Sequence, residues 1–221
     1  MRVDVKGAIV SNDEEWIYDY FGISCVTPRI ITDAVAKASE TGETLDVYIN
    51  SNGGEIFSAS EMYATLREYG NVKIHVTGIA ASAASVLMCA GESDISPTSM
   101  VMIHNVHSTA SGDYRDMKHS SEVLKSASKA MAQAYCEKSG MSMERLLDLM
   151  DRETWLTAEE AVKYGLVDRI AEYEKKNTAE PSALAAAYGG MIPHEVIQTY
   201  QHKRMKAQYE LEILKLKGES K

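Results

Sequence analysis

Extended apolar runs alternate with helical segments along most of the chain, and few folds accommodate that order. The stretches "VDVKGAIV" (3–10), "TLDVYIN" (44–50), "VKIHVTG" (72–78) and "SMVMIH" (99–104) read as strands. Between and after them lie segments of helical spacing. One starts at Pro28 and runs to about Ser39. Another covers 56–69, with Ile56, Met62, Tyr63 and Leu66 on one side. A long one runs from Tyr114 to about Ser139, with Met117, Leu124, Ala127, Met131 and Ala134 along a face, and a short one covers 142–150. In "TAEEAVKYG" (157–165), Thr157 is placed as N-cap, Glu160 as its capping-box partner and Gly165 as the stop. "LVDRIAEY" then reads as a closing strand. Strands separated by helices imply βαβ units, so the pattern predicts an α/β fold with a mainly parallel, helix-covered sheet.

The character changes after Tyr173. Residues 174 onward mix charge, Ala, Gly and Pro before a polar helical pattern with Val196, Ile197, Tyr200, Met205, Tyr209, Ile213 and Leu216 down one side. The expected organisation is a domain over 1–173 and a linker with a helical C-terminal extension over 174–221, the stripe reading as a docking face.

Charge and cysteine content narrow the function classes. The net charge of −9 argues against a nucleic-acid binder, which would carry a basic face. No window is apolar enough to span a membrane, and the N-terminus lacks a signal-peptide core. Cys25, Cys89 and Cys136 are widely spaced with no CxxC, which points to free thiols and a reducing, cytoplasmic setting.

Chemistry has three places to sit. Ser82 follows a strand within "GIAASAASVLMCAG" (78–91), flanked by Gly78, Ala80, Ala81 and Ala83. Small neighbours at a strand-to-helix corner let a carbonyl approach a nucleophilic hydroxyl, and the Ala83 amide can donate to a developing oxyanion. Tight helix packing accounts for the same run, and Ser85, one turn on, is a weaker nucleophile candidate. The second place is "INSNGGE" (49–55), where Gly53 and Gly54 can aim amides into a cleft or simply end a strand in a turn. No Lys-Ser/Thr follows, as a phosphate loop would require. The third is His104, at a strand end, together with Asp151 and Glu153 in the segment that also holds Trp155. His107 competes as base, and His75, inside a strand, reads as structural. A serine, a glycine-rich amide donor, a histidine and a carboxylate at element ends supply nucleophile, oxyanion donor, base and orienting acid.

These segments carry a resemblance. "YINSNGGEIFSASEMYATL", "GIAASAASVLMCAG", "MVMIHNV" and "ETWLTAEEAVKYGLVD" resemble, in order and spacing, the Clp protease proteolytic-subunit family of serine peptidases, over roughly residues 1–173. The resemblance implies a ClpP/crotonase-like spiral of βαβ units. It also implies peptide-bond hydrolysis without metal or organic cofactor, and assembly into homo-oligomeric rings, often heptamers stacked with their sites inside. It puts the catalytic serine on Ser82, the histidine on His104, and the oxyanion-hole amides on Gly54 and Ala83. The acid falls on Glu153 where the family usually has Asp, with Asp151 as the alternative. Asn52 replaces the proline that usually precedes the glycine pair.

Within the family, the small-residue run and "ETWLTAEEA" look closest to the branch of tailed phages and prophages. That likeness implies a head-maturation (prohead) protease acting on capsid or scaffold proteins in the host cytoplasm or assembling proheads. The alternatives are a general peptidase subunit fed by an AAA+ unfoldase, an inactive subunit retaining the fold, and a crotonase-like acyl-CoA enzyme.

Overall fold

Inward-facing side chains alternate along the central strands, as a sheet with helices on its face requires. In β3 (Leu45–Gly54), Leu45, Val47, Ile49, Ser51 and Gly53 are buried and their neighbours are not. The computed structural model describes residues 1–173, and the expected linker and helical extension lie outside the described residues. In chain order the other elements are β1 (Arg2–Ile9), α1 (Glu15–Phe21), β2 (Cys25–Val26), α2 (Pro28–Thr41), α3 (Ile56–Tyr69), β4 (Val72–Ala81), α4 (Ala83–Leu87), β5 (Glu92–Ile95), β6 (Met100–Ile103), α5 (Tyr114–Ser139), α6 (Met143–Asp151), β7 (Thr154–Thr157), α7 (Ala158–Lys163) and β8 (Arg169–Ile170).

The main sheet runs β2-β1-β3-β4-β5-β8, every neighbouring pair parallel. This is the mixed α/β architecture, with a parallel sheet and helices, that the alternation predicts. The core is continuous, with Ile31, Leu45, Ile49, Met62, Leu66, Ile74, Leu87, Ile95, Ile103 and Leu146 all fully buried.

One strand forks, and the fork positions the site. The first half of β4 pairs with β5, from Lys73↔Glu92 to Val76↔Ile95. Its last residues instead pair with β6, from Ile79↔Met100 to Ala81↔Met102. β6 also pairs antiparallel with β7, ending at Ile103↔Thr154. The chain therefore leaves β4 into Ser82, β6 into His104, and enters β7 from Glu153, all at one edge of this small subsheet.

Several local expectations change. β3 does not end at Asn50 but continues through Gly54, because Ala8↔Gly53 and Ile9↔Gly54 extend its pairing with β1 past a bulge. The small-residue run forms only a five-residue helix, α4, since Gly78–Ala81 belong to β4. The segment that holds both candidate acids divides: Asp151 ends α6, and Glu153 leads into β7. Short apolar content hid α1, β2, β5 and β7 from periodicity. α7 is capped as read, Thr157 and Glu160 forming both halves of the capping box. All three cysteines are free, and burial pushes the Cys89 thiol up to about 12. No helix among the described residues is long and apolar enough to cross a membrane.

Candidate active site

The end of β4 is forced into an unusual turn. Ser82 adopts φ 53, ψ −130, a backbone region that costs a non-glycine residue roughly 1–3 kcal/mol. Two contacts hold it there: its N–H donates to the Met102 carbonyl (2.9 Å), and its own carbonyl accepts from the Ser85 N–H (2.9 Å). The turn presents the side chain outward at the N-terminus of α4, where the first-turn amides have no partner inside the helix.

His104 follows β6 directly, and its Nε2 lies 2.7 Å from the Ser82 Oγ. The β4–β6 register prepares that contact, because Ala81↔Met102 puts Ser82 beside Ile103, one residue before His104. Partial burial, with the His107 ring packed edge-on at 5.1 Å, holds the His104 pKa below the usual histidine value, while Glu153 pulls the other way. His104 is therefore a neutral imidazole at neutral pH, able to take a proton.

The two candidate acids differ in place. The β6–β7 register runs Ile103↔Thr154, so Glu153 stands opposite His104 in the next position. Glu153 has φ 48, ends the turn after α6 through its N–H to the Met150 carbonyl, and accepts from Trp155 Nε1 at 3.3 Å. It acts on His104 through charge, and among the described residues no hydrogen-bond partner is on His104 Nδ1. The Asp151 carboxylate is instead engaged by Asn105 Nδ2 at 2.6 Å.

The glycine pair faces the same turn. A Cβ on Gly53 would lie 2.7 Å from the Ala81 carbonyl, 2.7 Å from the Ser82 Cβ and 2.9 Å from the Ala83 nitrogen. Gly54, at φ 151, packs so closely on β1 that a Cβ would overlap the Ile9 carbonyl. Asn52 is exposed, and rigidity in this loop comes from Ser51. Its hydroxyl donates to the Gly7 carbonyl (2.6 Å) and accepts from the Gly53 N–H (3.1 Å).

A small cavity of about 90 Å³ joins these parts, lined by Gly54, Ser82, Ala83 and His104 with Val106 and Tyr135 among its walls. The sequence reading missed Tyr135, Val106 and Met131, whose only signal was helical or loop hydrophobicity. Ser85 is fully buried, with its hydroxyl on the Ser82 carbonyl, so it cannot be the nucleophile. His75 lies elsewhere in the sheet, Nδ1 facing Asp94 at 3.0 Å and Nε2 facing Asp46 at 3.2 Å. The arrangement supplies a hydroxyl with a neutral base beside it, a carboxylate opposite that base in the β6–β7 register, and Gly54 and Ala83 lining the same cavity.

The Clp protease family model matches residues 26–174. The chain is 32% identical over 143 residues to the ATP-dependent Clp protease proteolytic subunit of Porphyromonas gingivalis, covering 63% of this chain and 64% of that protein. It is 33% identical over 158 residues to the proteins of the same description from two strains of Bacteroides fragilis, covering 70% of this chain and 74% and 70% of theirs. With the matched model spanning β3 to β8, the fork and every candidate site residue, the chain belongs to the Clp protease family.

Proposed function

We propose that this chain is a serine endopeptidase with Ser82 as nucleophile, His104 as general base and Glu153 as orienting acid. The observation that carries the reading is the 2.7 Å contact between His104 Nε2 and the Ser82 Oγ, made by a serine held in a strained turn. His104 takes the hydroxyl proton as Ser82 Oγ attacks the peptide carbonyl carbon. The amides of Gly54 and Ala83 receive the oxyanion, a contribution of roughly 3 kcal/mol per donor in serine hydrolases. The imidazolium then protonates the leaving amine as the C–N bond breaks, and water, deprotonated by His104, hydrolyses the acyl-enzyme. Glu153 stabilises the imidazolium by charge and, with substrate bound, orients the ring through Nδ1. Asp151 is the alternative acid, drawn away here by Asn105.

A fluorophosphonate probe tests the chemistry. Labelling confined to Ser82 and abolished in Ser82→Ala supports it, and labelling elsewhere, or none, refutes it.

For the setting we propose head maturation in a tailed phage or prophage, with capsid or scaffold proteins as substrates and a homo-oligomeric ring as the active form. The support is the likeness of "AASAASVLMCAG" and "ETWLTAEEA" to that branch. The relatives, ATP-dependent Clp protease proteolytic subunits, favour a second setting, a proteolytic subunit working with a Clp-type ATPase. Cleavage of a purified capsid precursor without ATPase supports the first setting. ATP-dependent degradation of a folded protein, with no capsid cleavage, supports the second.

A further inference from the structure

Beneath the nucleophile lies a buried hydroxyl pair that the peptidase chemistry above does not use. The Ser85 Oγ lies 2.6 Å from the Ser82 carbonyl oxygen and 2.6 Å from the Tyr135 hydroxyl. A carbonyl oxygen has no proton, so the Ser85 hydroxyl donates to it. That uses the one proton Ser85 has, so the Tyr135 O–H must donate to Ser85. The direction of the relay is fixed: Tyr135 to Ser85 to the Ser82 carbonyl. Ser85 is fully buried and Tyr135 is 2% exposed, so neither hydroxyl has water to fall back on. Burial raises the Tyr135 phenol well above its ordinary value and keeps the proton on the donor.

The target of the relay is the important part. The Ser82 carbonyl and the Ala83 N–H belong to one planar trans peptide and point in opposite directions. Whatever clamps the carbonyl therefore aims the amide, and hydrogen bonds received by the carbonyl strengthen the amide as a donor. The Ser82 carbonyl receives two bonds, from the N–H and the hydroxyl of Ser85. Across the peptide, the Ala83 nitrogen points away from the Ser82 carbonyl, and Ala83 lines the cavity shared with Ser82, His104 and Gly54. Tyr135 belongs to α5, a different element from the turn it steadies, and its ring forms part of the cavity wall.

We infer that Ser85 and Tyr135 are positioning residues that aim and polarise the Ala83 amide for oxyanion binding, an inference that rests on the peptidase reading above. Their hydroxyls bond to each other and to the Ser82 carbonyl, not to the Ser82 Oγ or to His104. Removing the Ser85 hydroxyl leaves the Ser82 peptide held by one amide bond and free to tilt. Removing the Tyr135 hydroxyl leaves Ser85 bonded to Ser82 but unsupported.

Kinetics on a fluorogenic peptide, with a peptide boronate as tetrahedral mimic, test the inference in Ser85→Ala, Tyr135→Phe and the double variant. Ser85→Ala is expected to lower kcat roughly tenfold with KM unchanged, and Tyr135→Phe about threefold, since misaiming an oxyanion donor costs less than deleting it. Boronate affinity should fall by the same factors, the double variant should be no worse than Ser85→Ala, and Ser85→Thr should restore most activity. Variants with a lowered Tm but wild-type kcat and boronate affinity would overturn the inference. If Ser85→Ala does not fold, Tyr135→Phe, which keeps the ring, decides alone. Absence of Ser82 labelling in the wild type refutes the peptidase reading itself, a different result from labelled wild type with unaffected variants.

Discussion

Ser82 and Glu153 are the only non-glycine residues with positive φ among the described residues, at 53° and 48°. Each would be relaxed as glycine, and each instead carries a side chain to which the proposed mechanism gives a role, at a place where the backbone must turn sharply. They are 71 positions apart in sequence and are joined through His104, which contacts the first and stands opposite the second in the β6–β7 register.

The acid assignment follows from that register. Glu153→Gln keeps the shape and removes the charge that stabilises the imidazolium. It should lower kcat by roughly a hundredfold or more on a fluorogenic peptide. Asp151→Asn keeps an acceptor for Asn105 and should change kcat less than about twofold, within the range of an exposed polar substitution. The reverse ranking would make Asp151 the acid.

The pH dependence has a definite sign. In the proposed mechanism His104 acts as a base only when neutral, so activity should rise with pH through its pKa. Burial and His107 depress that pKa, which puts the acid limb of kcat/KM below about 6.5. Replacing His107 by Gln removes a positive neighbour and should move the limb up. Glu153→Gln removes the opposing carboxylate and should move it further down. A limb at or above 6.5 in the wild type would contradict the burial argument. The same depression makes the folded state lose stability as pH falls through the His104 pKa, because the unfolded chain binds that proton more readily.

The parallel sheet was legible in the sequence because its strands and helices are long and strongly periodic. Ser82, His104, Gly54 and Ala83 were singled out because a serine, a histidine and a glycine pair at element ends occur together in the order and spacing of the Clp protease motifs, whereas each alone reads as readily as packing or a turn. What pattern could not show was the fork in β4, since pairing partners leave no trace in one strand's own hydrophobicity. Sequence alone left Glu153 and Asp151 as first choice and alternative in one segment, and the Ile103↔Thr154 pairing places Glu153, not Asp151, opposite His104. Tyr135 was invisible for a related reason: as one apolar position on α5, it looks like any core residue until its hydroxyl meets Ser85.

The glycine pair divides structural from functional demands. Gly54→Ala would force a Cβ into the Ile9 carbonyl at a φ that L residues avoid, so it should cost several kcal/mol or prevent folding, read by urea denaturation. Gly53→Ala presses instead on Ala81, Ser82 and the Ala83 nitrogen at 2.7–2.9 Å. It should move the nucleophile turn and lower kcat by at least tenfold even in protein that remains folded. Equal loss of stability and no catalytic defect in folded Gly53→Ala would separate Gly53 from the site.

Asp168, which does not line the cavity at Ser82, ties β5 and α5 to the segment before β8 through one carboxylate oxygen. Its Oδ2 accepts from the Ser93 N–H (2.7 Å), the Ser93 hydroxyl (3.2 Å) and Lys138 Nζ (2.5 Å), and Lys138 also donates to the Gly91 carbonyl (2.7 Å). The Lys138 side chain is only 11% exposed, so removing its counter-charge leaves a largely buried ammonium uncompensated. Asp168→Asn should therefore lose about 2 kcal/mol at pH 7, more than an exposed ion pair would give. Burial alone would raise the Asp168 pKa, but the bonds from Lys138 and Ser93 outweigh it and hold the carboxyl below its ordinary 3.8. A depressed folded pKa contributes stability that is complete above the unfolded value and lost as pH drops through the folded one. The gap between wild type and Asp168→Asn in urea melts should stay constant from pH 7 to about 5 and shrink below about 4. A gap of equal size at pH 3 would mean that the carboxylate's charge contributes nothing, and that Lys138 is held by packing alone.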